Sequence, residues 1–507
     1  MTARTTAGNL LREPLIGVSD AHGQRCRLTL PQVFARLSDP QASTIAFTAA
    51  QAHQGHAVHA FLVQVAAMAL RRAGLETPPT DPAWWQTYLL AVSDGCEAAW
   101  TLVVTDLKQP AFLQPPVPEG ALAAFANHLG SPGAVDLLVT AKNHDRKLES
   151  GATDDPQAWM LALITMQTGQ GYSGKANYGV FRMNGGLGNR PGVGLRDSQD
   201  LGAAFRRDVG VLLRQREQVC DDAGFGSAGT ALLWCLPWDG KRSAVFATLD
   251  PWVVECCRRI RLIDEGGITA RMAPTQAARV ATSDAFTGNA GDPWTPINAK
   301  TNKSLTLPKD GFTYKRVADL LLNGDWAAPA AQIPQPGDGP DLRWYGRALV
   351  RGQGKTEGWH EREVPIDRRI GKRFAQRDER EALGKRAQEM ITNAGVMRLG
   401  ILKPALVTLW HEAEGRVEPA LRRLEQRIDH EFFPVLWNTD ADLTAWRTAL
   451  KTWAQAILDA EISTVAETAS RWRRISEATS RFEYGLHRKT HKDIKAMFLP
   501  LTTVSTP

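Results

Sequence analysis

Apolar and polar positions along this 507-residue chain fall into two textures. Through about residue 370 the apolar stretches are short, and Gly, Pro and polar runs separate them. AFLVQVAAMALRRAG (60–74) has apolar residues at helical spacing and ends on a glycine, so it predicts a buried helix. LVVTDL (102–107) and DLLVT (136–140) are too short for periodicity to separate strand from helix. KQPAFLQPPVPEG (108–120) is too rich in proline for a central strand or a helix interior, and predicts a rigid, extended surface segment. From 230 to 262 the pattern predicts strands in ALLWCLPW and SAVFATL, then a helix in DPWVVECCRRIRL that starts at its Asp-Pro pair. GDPWTPINAK (291–300) reads as a Pro-bounded turn, and PAAQIPQPGDGP (329–340) as a surface loop.

Beyond residue 370 Gly and Pro thin out, and Ala, Leu, Glu, Arg and Trp recur every three or four positions. Four helical stretches follow, about 374–413, 416–437, 441–470 and 471–498, with Gly395 and Pro404 placed to kink or split the first. Short connections favour antiparallel neighbours in a bundle. Phe432, Phe433 and Trp437 form one aromatic face and Trp446, Trp453 and Ile457 another, both expected to pack inward. The fold class expected is α+β: a large, irregular mixed α/β domain over 1–368 and a four-helix bundle over 369–507.

Length supports that division, because single cores stop growing at about 250–300 residues. With 43% apolar and 22% charged residues the composition is globular. No apolar run approaches the ~20 residues that span a bilayer, and the N-terminus lacks an apolar signal region. No membrane partner and a cytoplasmic location are expected. Cys26, Cys96, Cys220, Cys235, Cys256 and Cys257 form no C-x-x-C pair, so neither a zinc ribbon nor a disulfide framework is expected. Adjacent Cys256 and Cys257 read as buried thiols on a helix.

Net charge is only +6, but the excess is local: residues 343–380 carry 11 Lys/Arg against 6 Asp/Glu, and residues 471–495 carry 8 against 3. Such clustering suits a surface that meets phosphates. Residues 169–194 are dense in glycine, interleaved with Lys175, Arg182, Arg190, Asn177, Asn184, Asn189, Tyr172 and Tyr178. Glycine is costly to order, so this composition marks a loop or a close backbone approach to another molecule, with side chains suited to phosphates and base edges.

Enzymatic motifs are weaker. Gly169-Gln-Gly-Tyr-Ser-Gly174-Lys175 matches a phosphate-binding loop until Ala176, which stands where a magnesium-binding Ser or Thr belongs. Gly354-Lys355-Thr356 ends like such a loop, but Leu349 occupies the first glycine position. His53, His56 and His59 could hold a metal, yet no H-E-x-x-H pattern or neighbouring Cys or Asp completes a set. No catalytic residue, metal or cofactor is expected. The alternative is a nucleotide- or metal-dependent nucleic-acid enzyme using Gly169–Lys175 or the three histidines.

The order of segments is distinctive: AFLQPPVPEG, LITMQTGQGYSGKANYGVFRMNGG, ALLWCLPW, DPWTPIN, GFTYKRVADLLL, LVRGQGKTEG, then a terminal bundle with HEFFP. In this order and spacing, over nearly the whole chain, it resembles the CasA-type large subunits of the type I-E Cascade complex of CRISPR immunity. The resemblance implies a non-catalytic subunit that partners CRISPR RNA, the other Cascade subunits, target double-stranded DNA and a helicase–nuclease effector. Such subunits recognise a protospacer-adjacent motif, separate the strands and start the R-loop. It also implies site residues. Phe112, Leu113, Gln114 and Pro115 match a loop that meets the RNA end and a neighbouring subunit. Gly171, Tyr172, Ser173, Gly174 and Lys175 match a loop that approaches the minor groove by its backbone. Gln353, Gly354, Lys355 and Thr356 match a wedge at the strand fork. Arg279, and after it Arg271, are candidates for a basic residue inserted into the groove. The chain departs from relatives that carry paired C-x-x-C zinc motifs, and its wedge is more basic. Which adjacent motif it reads is therefore open.

Overall fold

A computed structural model describes residues 6–42, 45–137, 155–183, 188–282, 286–352, 355–367, 370, 376–411, 414–440, 442–465, 468–487 and 498. The chain divides into two compact units: Met1–Phe312 with Gly324–Arg368, and Thr313–Asn323 with Arg369–Pro507.

The first unit is built on helices α1 (Leu30–Ser38), α2 (Gly55–Ala73), α3 (Pro82–Val92), α4 (Pro156–Gly169) and α5 (Leu201–Ala223). Their starts are chemically specified: Thr29 caps α1 in a box with Gln32, and Asp81, Asp155 and Asp200 cap α3, α4 and α5. α2 is the helix expected at 60–74. It is buried on nearly every side, packs against α3, α4 and α5, and ends on Gly74 in the left-handed conformation.

Small sheets surround these helices. β1 (Ile16–Asp20), β2 (Arg25–Leu28) and β3 (Ile45–Phe47) form an antiparallel sheet in the order β2-β1-β3. β4 (Thr101–Val104) makes the first half of the LVVTDL segment a strand. β5 (Gly192–Arg196) pairs with β9 (Arg343–Gly352), which forms a long hairpin with β10 (Lys355–Pro365). DLLVT lies largely outside the described residues.

Two expectations are corrected. Residues 249–264 form strands, β6 (Leu249–Val254) and β7 (Arg259–Asp264), where the Asp-Pro pair predicted a helix. β6 is buried at all six positions, so it lacks the alternation that marks a half-buried strand. The Asp250 carboxylate takes both terminal nitrogens of Arg216, at 3.0 and 2.6 Å. Cys256 and Cys257 are buried, as expected, but in the connection between β6 and β7. Burial raises the Cys256 thiol well above its ordinary value and pushes Cys257 up to about 11. The second correction concerns 108–120: residues 110–117 lie in the core, and only the ends reach the surface. β7 continues into an antiparallel pair with β8 (Ile268–Ala273).

In the second unit, α6 (Tyr314–Leu322) joins the C-terminal helices, although 324–368 return to the first. The Tyr314 amide donates to Asp429 at 2.8 Å, Lys315 to Glu425 at 2.8 Å, and the Tyr314 ring lies 4.8 Å from that of Phe432. The first long helix is divided: α7 (Arg377–Gly395), a wide π-helical stretch (Val396–Leu402), and α8 (Lys403–Trp410). The division falls between Gly395 and Pro404, as expected of a ring that cannot donate its backbone bond. α9 (Glu414–Trp437), α10 (Thr444–Ser463) and α11 (Ala469–His487) complete the four helical lengths. Phe432, Phe433, Trp437 and Trp446 are buried, as expected, whereas Trp453 and Ile457 of the second face are only half-buried.

Candidate nucleic-acid interface

The glycine-dense segment begins where α4 ends and immediately turns back. Ser173 and Asn177 close a turn through Ser173 N–Asn177 O and Asn177 N–Gly174 O bonds, both 2.9 Å. Gly174 sits at φ +110° and Ala176 at +71°, so the first position favours glycine. The two arms of the loop are pressed together: a Cβ on Gly179 would lie 2.3 Å from the carbonyl carbon of Gly171. Thr275 donates its amide to Ala176 O at 3.2 Å, and Arg258 donates to Tyr178 O. Gly171 is buried, Tyr172, Ser173 and Gly174 are half-buried, and Lys175 is exposed at the turn.

The β9–β10 hairpin arrives at the same place. Its pairing slips between Val350 and Arg351, after which Arg351 faces Thr356 and Gly352 faces Lys355. Gln353 and Gly354 lie outside the described residues. Two side chains connect hairpin and loop. Buried Asn189 donates to Leu349 O at 3.2 Å while its oxygen accepts from the Gly171 amide at 3.3 Å. Arg351 donates to the Ser173 hydroxyl at 2.8 Å. Thr356 adds a bond to Leu137 O at 3.4 Å. Among the described residues, the segments predicted as groove reader and wedge are therefore hydrogen-bonded to one another.

Several cations expected to meet phosphate are internal. Arg182 is fully buried, with Glu255 at 2.8 Å and the carbonyls of Val253 and Pro251 at 3.2 and 3.0 Å. Arg190 grips Asp292 at 2.6 and 3.1 Å. These four charges form a core ion cluster, which removes both arginines from the surface chemistry read from their position among glycines. Arg279 is also buried. Its terminal nitrogens bond the carbonyls of Leu233, Leu236 and Pro237, its guanidinium lies 5.0 Å from the Trp238 ring, and burial lowers it to about 10. Reaching a groove would require these bonds to break. Arg271 is partly exposed on β8 and pairs with Glu265 at 3.0 Å.

Phe112, Leu113, Gln114 and Pro115 are buried. Phe112 meets the rings of Phe61 and Trp234 at 5.6 and 5.9 Å. The Gln114 amide donates to Leu102 O at 2.8 Å and accepts from Leu262 N. These side chains are used inside the protein, so none of the four is presented to a partner as the surface reading supposed.

The features of the enzymatic alternative separate. His53 pairs with Asp136, and His59 with Asp208 at 2.8 Å. His56 lies against Gly192, where a Cβ would come within 2.3 Å of its ring, and burial lowers its pKa well below the ordinary value. Among the described residues no group of three or more His, Cys, Asp or Glu could hold a metal. Gly169–Lys175 follows a helix C-terminus, whereas a phosphate-binding loop precedes a helix N-terminus.

Asn189, Arg351 and Arg258 are the residues that sequence reasoning did not assign to this organisation. Asn189 is 160 residues from Leu349 in sequence, and Arg351 is 178 from Ser173, so no local spacing announces either link.

No protein-family model matches the chain, and no significant match appears among curated proteins. Solved structures do match. CasA (Cse1) of Thermus thermophilus superposes with a TM-score of 0.62 at 16% identity, over 95% of this chain and 99% of that one. Cse1 of Thermobifida fusca gives 0.63 at 14% identity, over 98% and 100%. A chain from a CRISPR RNA-guided surveillance complex gives 0.56 at 14% identity, over 94% and 100%. At these identities the likeness is one of fold. The chain has the mixed α/β and helical architecture of the CasA (Cse1) proteins. Among the described residues no helix is long and apolar enough to cross a membrane.

Proposed function

We propose that this chain is the large, non-catalytic subunit of an RNA-guided CRISPR surveillance complex. In this reading it recognises a short motif in target double-stranded DNA, begins strand separation and R-loop formation, and docks a helicase–nuclease effector. Its partners would be CRISPR RNA and the other subunits of the complex. The observation that carries the reading is the Asn189 bridge between Gly171 and Leu349, with the Arg351–Ser173 bond beside it. A narrow backbone loop with an exposed cation suits a minor groove about 6 Å wide. In this reading the hairpin bonded to that loop serves as the wedge at the opened fork, and base pairing with RNA then reads the longer sequence.

Gly174→Val tests this. No atom lies within 4 Å of the added Cβ, but the φ of +110° would be strained, so the loop must change shape while the fold persists. In the assembled complex, affinity for motif-bearing duplex should fall by about tenfold with unchanged assembly. Unchanged duplex affinity would defeat the assignment.

A further inference from the structure

A cleft of about 220 Å³ borders the glycine loop. Tyr172 and Tyr178 line it with ring centroids 6.2 Å apart and planes at 60°, and Val180 and Val280 add apolar surface. Its polar lining is selective. The Glu255 carboxylate belongs to the lining and is engaged by Arg182 at 2.8 Å and by the Phe181 amide at 2.7 Å. Arg279 also lines it. Its terminal nitrogens are spent on backbone carbonyls, while its Nε has no hydrogen-bond partner although the residue is only 4% exposed.

The volume is below the ~300 Å³ at which drug-sized sites begin, which suits a single heterocycle. Phosphate would meet the Glu255 carboxylate, and the charge of Arg279 is already solvated by carbonyl groups. A neutral planar ring meets neither obstacle. It can stack on a tyrosine face. We infer that this cleft receives one unstacked nucleobase from the nucleic acid that the glycine loop engages. The inference rests on the nucleic-acid reading above and adds a ligand class to it. A base leaving the stack loses its neighbours, and an aromatic cleft restores part of that loss whatever the sequence.

The test uses the full-length chain and a forked DNA duplex in which each position near the fork is replaced in turn by an abasic residue. At one position, base removal should lower affinity by about tenfold for the wild type and for Tyr172→Phe, which keeps the ring. For Tyr172→Ala the same removal should change affinity by less than about twofold. Thermal melting of both variants checks that the loop mutation leaves the fold in place. If every abasic position affects wild type and Tyr172→Ala equally, the base cleft is overturned while the loop's role stands. If the wild type binds no forked duplex, both readings fall.

Discussion

The guanidinium of Arg351 reaches the hydroxyl of Ser173 at 2.8 Å, joining the last turn of a hairpin strand to the apex region of a glycine loop 178 residues earlier. Burial, and then the charge of Arg258, lower the pKa of Arg351. An arginine so placed is a positioning group. Arg351→Met keeps the stem and removes the bond. We expect strand opening beside the motif, read by a fluorescent base analogue, to slow by about tenfold, with duplex capture reduced by less than about threefold. Equal loss in both, or rescue of both by a pre-opened bubble, would deny Arg351 this coupling role.

Phe112 supplies a test of the corrected loop. Because it is enclosed by Phe61, Trp100 and Trp234, Phe112→Ala should cost about 3–5 kcal/mol of stability in chemical denaturation. A surface contact residue would lose partner affinity and leave the melting of the isolated chain unchanged.

The core ion cluster predicts a different pattern. Arg182→Met leaves Glu255 without its closest cation and should destabilise by about 3–5 kcal/mol. Adding Glu255→Gln removes the stranded charge and should recover at least about half of that loss. If the double variant is less stable than Arg182→Met, the arginine is not held for charge compensation.

The sign of the pH dependence follows from His56. Its pKa in the folded chain is depressed by burial and by the charge of Arg190, so below about 6.5 the unfolded chain takes up a proton that the folded chain refuses. Stability contributed by neutral His56 is complete above that value and declines as pH falls, by up to about 1.4 kcal/mol per pH unit. His56→Phe keeps an aromatic ring against Gly192. It should flatten the denaturation midpoint between pH 6.5 and 5 by about one proton's worth. An unchanged slope would show that His56 titrates normally.

Much of this architecture was legible in the residues. α2 followed from apolar residues at helical spacing and Gly74, and the split of the first C-terminal helix followed from Gly395 and Pro404. Short strands were harder, because β6, buried on both faces, carries no alternation and its Asp-Pro pair imitates a helix start. The site divided along the same line. The glycine loop could be marked from composition, since glycine density is a property of a segment, and the wedge segment from the family resemblance in segment order. Which cations face outward could not. Arg182 and Arg190 stand among the same glycines as Lys175, and only folding brings Glu255 and Asp292 to them. For Phe112 the prolines suggested exposure, while the apolar Phe-Leu pair between them decided burial.

The central claim is that residues 171–175 and 351–356 act on DNA as one surface. A photo-crosslinking amino acid placed at Ser173, and separately at Thr356, in the assembled complex bound to motif-bearing duplex measures this directly. The account predicts crosslinks from both positions to the motif or to the base pairs immediately beside it. Crosslinks from neither position, or from the two to distant parts of the duplex, would contradict it.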